Sequence, residues 1–407
     1  MQVRFFTIPI QGGEAAVEDL NRFLASQRIL AIERNFVQDG SNSAWALCVS
    51  FEPAGNAAGR PPPGLGRRGV KIDYREILNE MDFALAAAFH RAALGKSRRE
   101  EVQAFCLHLD QSLADLRRAI LDGTVELGHM RRFRISDPKP RVIHAPCFRE
   151  RVLHHALIAR IGPVLDRTLV ADSYACRLGK GSLAAVERVQ QHLRRFPWYA
   201  QIDIRAYFAT IDHVILLDLL ARRFKDPGLL ALLGRIVAAH HGDSGKGLPI
   251  GALTSQTFAN YYLGGLDRVL LEQCRVRGLV RYMDDLLWWG EDRTAVERAL
   301  DAARAFTEQR LALTIKEPAR IGRSRDGVAF CGFRILPDRL LLSRRRKRRY
   351  QQSRRQGEQA FLEGAIGPLT LQAGYASAVA ITLPADAAGW RRRQLVRQPL
   401  VGALAEL

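Results

Sequence analysis

Two adjacent aspartates interrupt an otherwise apolar and aromatic stretch of the chain. Asp284 and Asp285 lie in "VRYMDDLLWWG", residues 280–290, where branched and aromatic residues on both sides predict a β-hairpin with the acids at its turn. By itself this pair could be an ordinary turn, but a third acid, Asp203, ends the β-like run of "WYAQIDIRAYF". If adjacent strands bring these carboxylates together, their shared charge calls for cations. Two Mg²⁺ ions in such a site can activate an attacking hydroxyl and stabilise a departing pyrophosphate, which is nucleotidyl transfer.

The composition predicts a globular protein that binds a polyanion. With 407 residues, of which 47% are hydrophobic, the chain can bury a substantial core in two or three domains. It has 61 Lys and Arg residues against 42 Asp and Glu, a formal net charge of +19. This charge favours nucleic acid as the partner, and the alternative is a solvated basic surface.

The sequence also predicts a cytoplasmic protein. Its six cysteines include no C-x-x-C pair and no zinc-finger spacing, so we expect reduced cysteines in the core. There is no run of 18 apolar residues and no signal-peptide pattern, so we expect no membrane partner.

Residues 1–52 are predicted to form a small α/β module. Its strands are expected in "VRFFTIPI", "ILAIERNFV" and "AWALCVSFE", and its helix in "EAAVEDLNRFLASQ". Residues 53–69, rich in Pro and Gly, are predicted to be a linker.

The rest of the chain must position the acids. Helical spacing runs from about residue 73 to 122, "RRFRISDPKPRVIHAP" predicts a hairpin, and "FRERVLHHALIARIGPVL" predicts a helix. Strands and helices then alternate over 199–335, before a basic tail that begins with "SRRRKRRYQQSRRQGEQ".

Six segments in series resemble the sequence boxes of reverse transcriptases. Tyr282-Met283-Asp284-Asp285 resembles the YxDD box, and the five others are "SDPKPRVIHAPCFRERVLHHAL", "SYACRLGKGSLAAV", "IDIRAYFATIDH", "GLPIGALTSQTFANYYL" and "VAFCGFRIL". The last of these, residues 328–336, resembles the segment that grips the primer. The resemblance implies an α+β right-hand polymerase with fingers, palm and short thumb, preceded by the small α/β module. It divides the chain after the linker into N-terminal helices and fingers over 70–198, a palm over 199–336 and a basic helical thumb over 337–407.

The resemblance assigns the metal site to the three acids. Asp203, Asp284 and Asp285 would be catalytic and would hold two Mg²⁺ ions, which Mn²⁺ could replace, and the Ile204 backbone carbonyl would face one ion.

The resemblance also assigns the nucleotide site. Phe208 falls at the steric-gate position, where a phenyl ring excludes a ribose 2′-OH, although core packing would explain it too. Lys139 and Arg141 fall where the fingers hairpin holds the triphosphate of a dNTP, and Lys316 lies near a segment that can offer a general acid to pyrophosphate. Around the incoming nucleotide we expect Ile250, Gly251 and Gln256.

A third set of residues is expected to contact the nucleic acid. The basic segment 342–364 would be a thumb helix whose charges meet duplex phosphates, and Arg177 and Lys180 are either phosphate contacts or solvated charges. The expected nucleic-acid contacts are Arg177, Lys180, Tyr282, Met283, Gly332, Arg344, Arg345, Arg346, Lys347, Arg348 and Arg349.

The box before YxDD indicates a subtype. It contains Ile250-Gly251-Ala252-Leu253-Thr254-Ser255-Gln256, and IGxxxSQ resembles the box of diversity-generating retroelement enzymes, which copy a structured template RNA with errors and use an accessory helical protein. Ile250 replaces a Gln that could hydrogen-bond near the incoming nucleotide, so selection would depend mainly on shape, unless the replacement is neutral. The alternatives are a defence-associated or group II intron-like reverse transcriptase, and a non-catalytic RNA-binding scaffold that keeps the fold.

Overall fold

The chain divides into two compact units, Met1–Arg68 and Gly69–Leu407, in a computed structural model. The boundary lies at the end of the predicted linker. The structure describes residues 2–9, 22–23, 28–37, 44–52, 81–136, 140–239 and 245–398.

The first unit contains an antiparallel sheet. Strands β1 (Gln2–Pro9), β2 (Arg28–Val37) and β3 (Ala44–Glu52) pair in the order β1-β3-β2, which confirms the three predicted strands. Arg22 and Phe23 are helical, and the rest of the predicted helix and the linker lie outside the described residues.

The first described elements of the second unit are helices and a two-stranded hairpin. Helices lead to β4 (Met130–Ile135), which pairs antiparallel with β5 (Arg141–Pro146), as the sequence predicted. The helices before and directly after this hairpin are Met81–Ala93, Glu100–Leu107, Leu109–Leu121, Phe148–Asp166 and Ser182–Arg195.

A four-stranded antiparallel sheet forms the centre of this unit. Strands β6 (Trp198–Ile202), β7 (Gly278–Tyr282), β8 (Asp285–Gly290) and β9 (Arg320–Arg323) lie in the order β7-β8-β6-β9. The helices within this region are Tyr207–Thr210, His213–Arg223, Pro227–Ala238, Leu253–Tyr262, Gly264–Arg268 and Arg293–Leu311. Several begin where an aspartate caps them, since Asp212, Asp226 and Asp292 each accept a hydrogen bond from a backbone N–H of the first turn.

The central sheet is covered on both faces, which explains why β8 is so apolar. Leu286 and Trp288 pack in one core cluster, which also includes residues of the helix Arg293–Leu311, whereas Leu287 and Trp289 pack in a second cluster with the helix Ser182–Arg195. Neighbouring side chains of a strand point to opposite faces, so a strand buried on both sides has a continuous hydrophobic run.

The C-terminal part of the unit combines a small sheet with helices. Strands β10 (Val328–Phe330), β11 (Phe333–Ile335) and β12 (Leu340–Leu342) form an antiparallel meander. The basic segment then forms the predicted helix, and Ser343 caps it. The helices of this part are Arg344–Leu362, Pro368–Ala380 and Ala388–Arg397.

Two other expectations concern cysteines and membrane segments. The described cysteines are free thiols, but Cys106 and Cys176 are exposed, so the prediction that the cysteines lie in the core was wrong for these two. Their positions on a helix face and a loop are not visible in cysteine spacing. Among the described helices, none is long and apolar enough to cross a membrane.

Candidate active site

Asp284 lies at the tip of the hairpin between β7 and β8. Tyr282 pairs with Asp285, which leaves Met283 and Asp284 as a two-residue turn. Met283 has φ 56°, in the left-handed region that such turns require and that a side chain of this size adopts at a cost. The predicted acidic turn is therefore confirmed, and its backbone is strained.

Asp203 lies beside this turn because β6 and β8 are antiparallel neighbours. Ile202 pairs with Leu286, so the residue that follows β6 lies next to the residue that begins β8. Beyond the strand, the Asp203 carbonyl accepts from the Lys316 N–H at 2.8 Å, and the Arg205 N–H donates to the Thr314 carbonyl at 2.9 Å. These bonds do not use the carbonyl of Ile204, the predicted backbone ligand.

Asp284 and Asp285 are poorly solvated and lie close to the charge of the more exposed Asp203. Burial raises the pKa of Asp284 to about 6, and the charge of Asp203 adds to this effect, whereas the charge of Arg141 opposes it. Burial also raises the pKa of Asp285 to about 7; a hydrogen bond from Gln201 opposes this rise, and the charges of Asp203 and Asp284 add to it. The Lys316 ammonium lies 3.7 Å from Asp203 Oδ2 and supplies one partial countercharge.

This charge balance fits a divalent cation. Carboxylate oxygens are the ligands that Mg²⁺ prefers, and cations would relieve the repulsion that adds to the effect of burial on both pKa values. In the part of the chain that the structure describes, no group of three or more His, Cys, Asp or Glu side chains is arranged to hold a metal as it stands. The three acids therefore fit a divalent cation by their charge and by the type of their ligand atoms.

The hairpin β4–β5 contacts the IGxxxSQ box directly. The His144 N–H donates to the Ile250 carbonyl at 2.8 Å, and a Cβ on Gly251, which has φ 127°, would lie 2.9 Å from the His144 carbonyl oxygen. Gln256 accepts a hydrogen bond from the Cys176 thiol at 3.3 Å. Residues of three sequence boxes thus meet, and only glycine fits at position 251.

The remaining predicted nucleotide-binding residues lie on short elements. Phe208 is half-buried on the helix Tyr207–Thr210, where its ring packs edge-on against Tyr207 with centroids 5.7 Å apart. Arg141 is exposed at the start of β5, and its charge reaches Asp284. Lys139 lies outside the described residues.

Comparison with known proteins agrees with this arrangement. The family model for reverse transcriptase (RNA-dependent DNA polymerase) matches residues 136–333, which include β5, the three acids and β10 and end at the first residue of β11. We refer to residues 136–333 as the reverse transcriptase domain, after the family whose model they match. The predicted α+β fold is confirmed. The predicted fingers include β4–β5, the predicted palm includes the four-stranded sheet, and the predicted thumb includes the helix Arg344–Leu362, which we call the thumb helix.

Relatives of the reverse transcriptase domain include bacterial proteins. The chain is 28% identical over 171 residues to protein YkfC of Escherichia coli K12, covering 39% of this chain and 45% of that protein. It is 23% identical over 172 residues to the group II intron-encoded protein LtrA of Lactococcus lactis, covering 40% of this chain and 29% of that protein. The chain therefore spans less than half of the length of either relative.

One solved structure has a weak likeness to the chain. It is apo telomerase from Candida tropicalis, truncated from the C-terminal domain, with 12% identity, a TM-score of 0.40 and coverage of 54% of this chain and 56% of that chain.

A buried arginine that sequence reasoning missed supports the YxDD turn of the reverse transcriptase domain. Arg281 is fully buried, and its Nε donates to Asp267 Oδ1 at 2.8 Å and to Oδ2 at 2.9 Å. Its Nη1 donates to Asn260 Oδ1 at 3.1 Å and to the Met283 carbonyl at 3.3 Å. A lone Arg in one apolar segment and a lone Asp in another were the available signals, because buried charges must be paired.

Gln201 is the second residue that sequence reasoning missed. It lies two residues before Asp203 on β6, and its Nε2 donates to Asp285 Oδ1 at 2.9 Å. The strand period of two predicts that positions 201 and 203 share a face, which was the signal that could have identified it.

The two basic residues of the CRLGKG loop differ in their contacts. The Arg177 guanidinium donates to Asp166 and to the carbonyls of Val170 and Ser173, and only 11% of its side chain is exposed. Lys180 donates to the Ala171 carbonyl at 2.8 Å and lies over the Tyr174 ring. Arg177 therefore braces this loop of the reverse transcriptase domain, and its donors are occupied.

The thumb helix is joined to the predicted primer-grip hairpin through Arg346. Its guanidinium stacks on Phe333 at 4.0 Å from the ring centroid and donates to the Cys331 carbonyl at 3.4 Å. A Cβ on Gly332, which has φ 79°, would lie 2.9 Å from Arg346 Nε. Lys347 is half-buried and lies 5.7 Å from the Trp390 ring centroid.

The remaining residues of the predicted nucleic-acid set lie on the surface or near the turn. Tyr282 and Met283 are half-buried beside the acids. The exposed basic residues of the thumb helix's first turns are Arg344, Arg345, Arg348 and Arg349.

Proposed function

We propose that this chain copies RNA into DNA by nucleotidyl transfer at Asp203, Asp284 and Asp285. The observation that supports this most strongly is the convergence of these carboxylates at the open end of the palm sheet, where burial and mutual repulsion raise the pKa of two of them. A protein that only bound RNA would keep such a site at a cost, because uncompensated buried charge is destabilising.

The three carboxylates and the Ile204 carbonyl would hold the divalent cations, Mg²⁺ with Mn²⁺ as a substitute. When bound, these ions would lower the pKa of the primer 3′-hydroxyl and stabilise the departing pyrophosphate. The chain's own residues would position the reactants. Arg141, exposed beside the acids, would hold the dNTP triphosphate together with Lys139, and Lys316 would meet the pyrophosphate.

Sugar selection is proposed to depend on Phe208. It follows Asp203 by five residues and is only half-buried, so part of its ring remains available to a nucleotide. The ring would collide with a ribose 2′-OH and favour deoxynucleotides. Ile250, Gly251 and Gln256 would contact the base pair, held against the fingers by the bond from His144.

The exposed cations of the thumb are proposed to hold the template–primer hybrid. Arg344, Arg345, Arg348 and Arg349 lie within two turns of one helix, next to the hairpin predicted to grip the primer. Contacts to phosphate give affinity without base recognition, which suits an enzyme that must translocate along an RNA–DNA hybrid.

The test is primer extension by the purified chain on an RNA template that contains all four bases, with dNTPs and Mg²⁺. We expect DNA product from the wild type and none from Asp284→Ala. The matched control is Asp301→Ala, which removes an exposed carboxylate paired with Arg304 on the helix Arg293–Leu311, and it should retain activity. Absence of product from the wild type, with its cellular RNA and protein partners restored, would overturn the proposal in favour of an RNA-binding scaffold.

Error-prone copying in a diversity-generating retroelement is our proposed setting. The IGxxxSQ box supports it, because an apolar Ile250 offers no directional contact to distinguish correct from incorrect bases. A structured template RNA and an accessory helical protein would then be partners. Sequencing the extension products tests this idea, since errors clustered opposite template adenines are expected and accurate product would contradict it.

A group II intron-like role is the second candidate. It is supported by the likeness to LtrA, a group II intron-encoded protein, over 40% of this chain. Accurate copying of an intron RNA would favour it, and accurate copying without an intron or a variable target gene nearby would favour antiviral defence.

A further inference from the structure

Gln201 joins one of the catalytic acids to the hairpin predicted to grip the primer. Its Nε2 donates to Asp285 Oδ1 at 2.9 Å and to the Ala329 carbonyl at 3.1 Å. Asp285 begins β8, and Ala329 is the middle residue of β10. A single side-chain amide therefore spans two sheets.

The hairpin at the far end of this link is itself well anchored. Phe330 pairs with Phe333, so Cys331 and Gly332 form a two-residue turn with φ values of 47° and 79°. Arg346 of the thumb helix stacks on Phe333 and donates to the Cys331 carbonyl. A strand seated on this turn would meet a unit that includes β10, β11 and the thumb helix.

The near end of the link controls the orientation of a carboxylate. A hydrogen bond from a fixed amide selects one orientation of the Asp285 side chain and leaves Oδ2 directed away from Gln201. Displacement of β10 would move the shared Nε2 and thereby the Asp285 carboxylate. Misplacement of a catalytic group by about 1 Å can cost on the order of 100-fold in rate.

We propose that Gln201 is a positioning residue that couples the seating of a primer strand on the Val328–Ile335 hairpin to the orientation of Asp285. The inference rests on the proposed function in two respects: that the hairpin contacts the primer and that the acids bind divalent cations. Gln201 makes no contact with substrate in this scheme. It acts through Asp285.

The test measures Mn²⁺ binding by electron paramagnetic resonance, with and without an RNA–DNA primer–template hybrid. In the wild type we expect the hybrid to tighten Mn²⁺ binding by about fivefold or more, a typical size for coupling between two sites. In Gln201→Met, which keeps the side-chain length but has no donor, this factor should fall to about one. Gln201→Leu provides a second apolar variant, and a thermal unfolding curve establishes that each variant is folded.

The matched control is Gln111→Met. Gln111 also donates to an aspartate, Asp115, at 2.9 Å, but this pair is exposed on the helix Leu109–Leu121. This variant should retain the wild-type coupling factor. In primer extension, Gln201→Met should lower kcat about tenfold and raise the KM for the hybrid by about the coupling factor that is lost, because coupling between two bound ligands is reciprocal.

The outcomes separate this inference from the proposed function. The same coupling factor in the wild type and Gln201→Met, including a factor of one in both, would overturn the inference even if both proteins extend primers. Another outcome is that the wild type extends no primer, but its Mn²⁺ binding is tightened by the hybrid and this coupling is absent in Gln201→Met. That result would overturn the proposed function and support the link through Gln201.

Discussion

Replacing Arg281 with methionine should strongly destabilise the palm. Arg281 and Asp267 are both fully buried, with Arg281 Nη2 2.8 Å from Asp267 Oδ2. Methionine fills a similar volume but leaves the Asp267 carboxylate without its countercharge. Burial already raises the pKa of Asp267, and the charge of Arg281 is the first of the influences that lower it.

The size of the effect follows from the interactions that the substitution removes. Removing one partner of a buried ion pair costs about 3–5 kcal/mol. The substitution also removes a donor from three carbonyl oxygens: the side-chain and backbone carbonyls of Asn260 and the backbone carbonyl of Met283. Each of these that water cannot reach adds about 1 kcal/mol to the loss of stability. We expect the free energy of unfolding to fall by about 5 kcal/mol, a large fraction of the roughly 5–15 kcal/mol that stabilises a typical protein.

The assay is equilibrium urea unfolding followed by tryptophan fluorescence, because Trp288 and Trp289 are fully buried in the strand next to Arg281. The double variant Arg281→Met with Asp267→Leu should recover most of this stability, since no charge is left buried. The control is Arg222→Met, whose pair with Asp218 is exposed and should contribute less than about 1 kcal/mol.

Two results would refute this reasoning. One is a decrease below about 1 kcal/mol for Arg281→Met, which would mean that water or another cation replaces the arginine. The other is a double variant no more stable than the single one. Then the packing of the arginine, and not the unpaired carboxylate, would determine the cost.

Three other predictions concern the nucleotide, the hybrid and the fingers contact. Phe208→Ala should reduce the ratio of kcat/KM for a dNTP over that for the matching rNTP by roughly tenfold or more, because the ring no longer blocks a 2′-OH; an unchanged ratio would assign Phe208 to core packing alone. Arg348→Gln with Arg349→Gln should lower the slope of log Kd against log salt by about 0.7–0.9 for each arginine that binds a phosphate, measured by fluorescence anisotropy of a labelled hybrid. Equal slopes would place the hybrid elsewhere. Gly251→Ala should reduce primer extension, since its Cβ would meet the His144 carbonyl oxygen at 2.9 Å, whereas Gly234→Ala has nothing within 4 Å and should have no effect on extension.

Sequence patterns predicted the acidic hairpin well because its signals are local. Branched and aromatic residues around a two-residue turn specify the strands and the position of Asp284, and strand adjacency then places Asp203. The basic thumb helix was predictable for the same reason, because Ser343 caps a long run of helix-forming residues.

The partners of buried polar groups could not be predicted in this way. The hydrogen bonds of Arg281 to Asn260 and Asp267 join residues at most 21 positions apart in the sequence. They nevertheless depend on how helical residues pack against β7. Arg177 shows the converse, because its sequence suggested an available cation and its tertiary contacts occupy the guanidinium. The sequence shows that a charged residue is present, but only its tertiary contacts show whether the charge is available to a ligand.

In strand β8, the residues that stabilise the fold are separate from the acids proposed to carry out the chemistry. Leu286 to Trp289 lie in two hydrophobic cores, whereas the acids stand where those cores end. Replacing Asp284 should therefore leave a folded protein that still binds its template, which is the form suited to trapping a substrate complex for imaging.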